Sequence, residues 1–264
     1  MVARCVEPEL LDELPPDDPS ALGSRRDLLR LNAWMGHSRI LARELEDREP
    51  SAPRSDSPSP VLRAEDGSRS AHSPHVRQIV ELGAGDGTFL LSAARRLSPS
   101  WGGTTAVLVD RHGIVSPETQ RGFQAQGWRT QVIEADVFDW LTRPTVGFCD
   151  AVVANLFLHH FPAAQLTRLL AEAARLAKAF IAIEPRRAAW PLTCSRMVWM
   201  IGCNRVTQND APTSVRAGFA GTELSRLWPA DERWSLQERR AGWVSHLFTA
   251  RRSSIGVHAG TDER

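Results

Sequence analysis

The sequence predicts an α/β protein: a doubly wound, seven-stranded sheet, mostly parallel, with a C-terminal antiparallel hairpin and extra N-terminal helices. Three observations carry this. From residue 76 to Glu184, short strands that are apolar on both faces alternate with helical segments, as in a parallel sheet covered on both sides. A glycine turn, Gly83-Ala84-Gly85-Asp86-Gly87, follows the first of those strands. The chain closes with two strand-like runs, Trp234–Arg239 and Trp243–Arg251, split by Ala241-Gly242.

Residues 1–17 are rich in proline and acid and read as extended. Asp18-Pro19-Ser20 is a helix start, with an N-cap residue and a proline in the first turn. From Ser24 to Glu46, Leu28, Leu31, Trp34, Met35, Leu41 and Leu45 recur at helical spacing, and Gly36 is placed to split the run. Residues 1–47 therefore form a helical segment whose apolar face needs a partner. It is either a brace docked on the main domain or a lid, with Asn32 or His37 facing a pocket. Residues 48–75 are a Ser/Pro/Arg-rich stretch with almost nothing to bury, and read as a disordered linker.

Residues 76–252 carry the sheet. Strands are expected at Ile79–Leu82, Thr105–Asp110, Arg129–Ala135, Cys149–Asn155 and Ala179–Glu184. Helices are expected over Asp86–Leu97, Ser116–Gln126 and, opened by Pro162, through Leu166, Leu169, Leu170 and Leu176. Beyond Glu184 the pattern predicts an apolar helix over Pro191–Cys203, a polar loop over 204–215 and a short helix over Ala217–Trp228. Residues 253–264 read as a flexible tail.

Composition narrows the class. An apolar share of 42% over 264 residues suits a sizeable core, and a net charge of +1 gives no electrostatic reason to expect nucleic acid. Lys178 is the only lysine, and tyrosine is absent, so no phenolic acid or base is available. Cys5, Cys149, Cys194 and Cys203 are too scattered for a disulfide scaffold or a Cys-based metal site. The acidic N-terminus is not a signal peptide, and no apolar run is long enough to span a bilayer. A cytoplasmic protein is expected, and its oligomeric state is open.

The glycine turn suits a nucleotide-like cofactor, because glycine lets a ligand approach the backbone and the helix that follows offers free N–H groups. A dinucleotide fingerprint needs a small residue where Thr88 stands, and no Gly-Lys-Ser/Thr phosphate loop is present. Glu81, two positions before the turn, would repel a pyrophosphate and suit a cationic amino-acid end. With these residues the chain resembles the Rossmann-like class I S-adenosylmethionine-dependent methyltransferases over residues 76–252, with a likeness to small-molecule enzymes of quinone and polyketide metabolism. The resemblance assigns Glu81, Gly83, Ala84, Gly85 and Gly87 to the cofactor cradle. It assigns Asp110 and Arg111 to the ribose, Asp136 and Val137 to the adenine, and Asn155 and Leu156 to the border of the methionine part. Asp136 also reads as the N-cap of a helix, and the two roles are compatible.

Methyl transfer to a phenol or enol calls for a base, and His159 and His160, just past the fourth strand, are the candidates. A loop-packing role for the pair is the alternative. The acidic ligands of metal-dependent catechol enzymes are not matched, since Asp150 begins its strand and Glu184-Pro185 departs from the pattern, so no metal is expected. Trp34, Met35, Trp190, Met197, Trp199 and Met200 are candidate pocket walls, with Arg186, Arg187, Asn209 and Asp210 as polar orienting groups. The expected function is methyl transfer to the O or C of a small, largely apolar, aromatic or polyketide-like molecule. A protein or RNA acceptor, an NAD-linked oxidoreductase and a non-catalytic cofactor-binding partner remain open.

Overall fold

The computed structural model describes residues 3–47, 77–143 and 147–253. The linker expected at 48–75, and the tail after Ser253, lie outside the described residues. Seven strands form one sheet: β1 (Gln78–Leu82), β2 (Thr105–Asp110), β3 (Arg129–Glu134), β4 (Ala151–Asn155), β5 (Ala179–Pro185), β6 (Trp234–Ala241) and β7 (Ser245–Arg252). Their order is β3-β2-β1-β4-β5-β7-β6. Strands β1 to β5 run parallel, while β7 is antiparallel to both β5 and β6, as the sequence predicts.

Ten α-helices accompany the sheet among the described residues: α1 (Leu10–Glu13), α2 (Pro19–Met35), α3 (His37–Glu46), α4 (Thr88–Ala94), α5 (Pro117–Gln124), α6 (Val137–Leu141), α7 (Ala163–Leu176), α8 (Ala189–Arg196), α9 (Arg205–Ala217) and α10 (Glu223–Leu227). The sheet separates two cores. Val80 and Leu82 of β1 face the core that holds α6 and α7, whereas Ile79 faces the one that holds α3 and α4. Alternation along a strand puts Glu81 on the same side as Ile79.

The N-terminal segment is built as its sequence suggests. The Asp18 carboxylate caps α2 by accepting from Ser20 N and Ala21 N, and Gly36, at φ 71°, separates α2 from α3. Helix α3 buries Leu41 and Leu45 in the core. Residues 1–17 are not wholly extended, because Leu10–Glu13 form one helical turn.

Two expectations after β5 are corrected. Residues 204–215 are not a loop but most of α9, and the helix expected over Ala217–Trp228 shrinks to α10. Asn204 caps α9 by accepting from Thr207 N at 2.9 Å. The inner side of α9 mixes apolar Val206, Val215 and Ala217 with a polar seam: Thr207 meets Ser24 Oγ at 2.9 Å, and the buried Asp27 accepts from Asn204 N at 2.7 Å and from Thr207 Oγ1 at 3.1 Å. Half of the buried positions of α9 are polar and Pro212 lies inside it, which breaks up the hydrophobic period.

Candidate active site

The order of strands reverses at β1 and β4, so the crevice that an open α/β sheet reserves for ligands lies beyond their carboxyl ends. A cavity of about 1070 Å³ is found there. That exceeds the size usual for one drug-like ligand and leaves room for two molecules side by side.

One side of the cavity comes from the turns after β1, β2 and β3. Gly83, Asp110, Arg111, Asp136 and Val137 line it. Gly83 and Ala84 donate their N–H groups to Val109 O at 2.9 and 3.1 Å, which folds the turn back on β2. Asp110 accepts from Gly85 N at 2.8 Å and from His112 N at 2.9 Å, one bond to each oxygen. Each oxygen keeps a further acceptor site. Asp136 caps α6 by accepting from Phe138 N at 2.8 Å and still lines the cavity. A Cβ placed on Gly85 (φ 54°) would meet nothing within 4 Å, while one on Gly83 (φ 67°) would strike the Phe157 ring at 2.2 Å.

Glu81 lies beneath this turn, outside the cavity lining. It is 2% exposed, and its Oε2 has no hydrogen-bond partner. Burial, with Asp86 and Asp110 nearby, pushes its carboxyl well above the usual range. Ala84, Gly85 and Gly87 shape the turn without lining the cavity. The Asn155 side chain faces the N-terminal helices instead: its Oδ1 is 2.7 Å from His37 Nδ1, and its Nδ2 donates to Asn32 Oδ1 at 3.2 Å. His37 Nε2 in turn meets Ser245 Oγ at 2.7 Å. Burial drives the His37 pKa down to about 4, so the ring is neutral at pH 7. It donates from Nδ1 to the Asn155 carbonyl and accepts from Ser245.

The other side of the cavity follows β4. Leu156 has φ 51°, the one positive φ outside glycine among the described residues. This left-handed residue turns the chain so that Phe157 N and Leu158 N donate to Glu184 Oε1, at 3.0 and 2.8 Å. Glu184, fully buried at the end of β5, also takes His159 Nδ1 at 2.8 Å on Oε2. On its far side His159 Nε2 is 3.3 Å from Glu9 Oε1. Burial opposes a charge on His159, but the hydrogen bonds to Glu184 and Glu9 outweigh it and push the pKa up to about 9. His160 stacks against it at 4.2 Å between centroids, and its Nδ1 is 3.2 Å from Asp12 Oδ2. Glu9, Asp12, His159 and His160 all line the cavity.

The N-terminal segment holds this cluster in place. Arg4 donates to the carbonyls of Ala217, His159 and Phe161 at 2.7, 3.1 and 2.9 Å. Asp210 caps α1 through Leu10 N and Leu11 N, at 2.9 and 3.0 Å. Asp12 is 3.7 Å from Arg111, which links the two sides of the cavity. Apolar walls come from Leu28, Leu31, Trp34 and Met35 of α2 and from Trp190, Met197 and Met200. Trp199 is 60% exposed and is not part of the lining. Arg186 and Arg187 bond to Trp243 O and Glu223, and Asn209 to Asp210, so none of the four polar groups expected to orient a substrate lines the cavity. Glu9, Asp12 and Glu184 are the site residues that sequence reasoning missed. Only Glu184 left a signal, an acid inside an apolar strand.

This crevice carries a glycine turn and two acids at successive strand ends. Residues 79–179 match the family model described as a methyltransferase domain. No curated protein matches the chain. Among solved structures, one from Nostoc punctiforme PCC 73102, described as a candidate O-methyltransferase, is 12% identical. The match covers 95% of this chain and 64% of that one, at a TM-score of 0.56, and shows the shared fold. An O-methyltransferase family protein from Burkholderia thailandensis is 21% identical over 69% of this chain and 52% of its own, at a TM-score of 0.45. The magnesium protoporphyrin IX methyltransferase of Synechocystis PCC 6803, solved with bound SAM, is 12% identical over 92% and 88%, at 0.48. The chain thus spans about half the length of the Burkholderia protein.

Proposed function

We propose that the protein transfers a methyl group from S-adenosylmethionine to a hydroxyl of a small, largely apolar, aromatic or polyketide-like molecule. One observation carries this reading. The acid-bearing turns after β2 and β3 and the Glu9–Asp12–His159–His160 cluster line one cavity of about 1070 Å³, roofed by Trp and Met side chains.

The residues present fit the cofactor. Asp110 has acceptor capacity left for two ribose hydroxyls, and Asp136 with Val137 suits the adenine. Gly85 leaves open space where a side chain would stand, and the unpartnered Glu81 Oε2 waits beneath the turn for a cationic group. S-adenosylmethionine supplies a methyl activated on a sulfonium. The chain's own residues hold the acceptor in line and exclude water, the main task in a displacement of this kind. His160, beside Asp12, is the group placed to hold the acceptor's proton. His159, with both ring nitrogens engaged, is a positioning residue for that loop. Residues 1–47 act as a lid segment on the catalytic domain at 76–252, in the cytoplasm.

Calorimetry tests the reading. S-adenosylhomocysteine binds at one site, and Asp110→Ala weakens it at least ~10-fold, the loss of a charged hydrogen-bond acceptor. Binding of NAD without S-adenosylhomocysteine would overturn the proposal.

A further inference from the structure

We propose that Glu9, His159 and His160 form a binding site for a divalent transition-metal ion, zinc in the first instance, at the acceptor end of the cavity. Each offers one ligand atom, and these atoms lie within 4.8 Å of one another. The set of two imidazoles and one carboxylate is that of catalytic zinc sites, which keep a fourth position open for water or substrate.

The spacing within the cluster supports a shared ion. A charge-assisted N–H···O bond closes to about 2.7–2.9 Å. His159 Nε2 and Glu9 Oε1 stay 3.3 Å apart, although both are buried. Two ligands held about 2.0–2.1 Å from zinc at a tetrahedral angle are separated by about 3.3–3.4 Å. In the metal-free protein the same pair is a hydrogen bond, and its separation is also that of two ligands on one ion. The outer contacts agree. His159 Nδ1 faces Glu184 Oε2 at 2.8 Å, the carboxylate–imidazole pairing that directs the opposite lone pair at a metal. Ser214 Oγ donates to the same Glu9 oxygen at 2.5 Å, and Asp12 steadies the His160 ring. The sequence points away from a metal because the acids expected as ligands are absent. The donors here are histidines and an acid contributed from near the N-terminus.

The chemical use rests on the methyltransferase reading. An acceptor hydroxyl oxygen takes the open position and releases its proton to water, since a bound cation lowers the pKa of a coordinated hydroxyl. That oxygen anion forms the new C–O bond as the C–S bond breaks, with the electron pair leaving on sulfur. His160 then acts as a ligand, and the ion replaces it as the means of removing the proton.

The test uses the full chain, stripped with chelator and titrated with zinc chloride alone, with S-adenosylhomocysteine titrated separately. One zinc per chain is expected, weakened at least ~10-fold by His160→Ala and by Glu9→Gln. Cobalt(II) should give the visible absorption of a tetrahedral site, lost in His160→Ala. Retained S-adenosylhomocysteine binding shows that each variant is folded. No zinc uptake by protein that binds S-adenosylhomocysteine, or uptake insensitive to both substitutions, overturns the metal site. Zinc uptake without S-adenosylhomocysteine binding would instead sink the methyltransferase reading and leave the metal site standing.

Discussion

His159 Nδ1 lies 2.8 Å from Glu184 Oε2, and both side chains are buried at the end of the parallel sheet. The histidine pKa is raised from 6.5 to about 9, against the opposing effect of burial. A raised histidine stabilises the fold fully below its unfolded value, and that stabilisation is lost as pH rises through the folded one. In chelated protein, stability should fall between about pH 6.5 and 9, by on the order of 3 kcal/mol. Glu184→Gln, which breaks a buried pair, should cost about 3–5 kcal/mol at pH 7 and flatten that alkaline limb. Thermal melts across pH check both, and a limb unchanged in the variant would show that another group is responsible.

His37 gives the opposite slope. Its pKa is depressed from 6.5 to about 4, chiefly by burial. The unfolded chain takes up a proton that the native ring refuses, so stability is complete above pH 6.5 and falls as pH drops toward 4. The loss should appear between pH 6.5 and 4.5, before ordinary carboxylates titrate. His37→Gln should remove the slope in that window, as read by denaturant midpoints at pH 7 and 5.

Glu81 should trade stability for binding. Burial, with Asp86 and Asp110 nearby, pushes its carboxyl well above the usual range, so ionising it in the fold at neutral pH opposes folding. Glu81→Gln should raise the stability of the cofactor-free protein at pH 7. The same change should weaken S-adenosylhomocysteine by ~10-fold or more, because a charged hydrogen bond to its amino group is lost. Parallel melts and calorimetry separate the two effects. Loss of stability would show that the Leu90 N–H bond to the carboxyl outweighs the cost of its burial.

Two glycines of the turn should respond differently to alanine. Both have positive φ, a conformation that costs an L-residue about 1–2 kcal/mol. Gly85→Ala should cost only that strain in the cofactor-free protein. Gly83→Ala must also displace the Phe157 ring, 2.2 Å from the added carbon, and should cost about 1–3 kcal/mol more, as overpacking does. Equal melting shifts would mean that the ring moves freely.

The sheet was legible because its strands are apolar on both faces and its turns carry glycine. Asp110 and Asp136 were legible because they stand at strand ends, where ligands of such sheets collect. The partners of the histidines were not. Glu9 and Asp12 precede His159 and His160 by about 150 residues, and no periodicity links an acidic N-terminus to a loop after the fourth strand. Helix α9 escaped notice for a related reason: Ser24, Asp27 and Thr207 bond across it where a hydrophobic stripe would normally advertise burial.

The Arg4–Asp12 segment supplies Glu9 and Asp12 to a cavity whose opposite wall is formed by the turns after β1, β2 and β3. On the proposed reading, the glycine turn and the strand-end acids serve the donor, while Glu9 and Asp12 join His159 and His160 of the core at the acceptor end. On that reading, replacing the Arg4–Asp12 segment should change acceptor use while S-adenosylhomocysteine still binds.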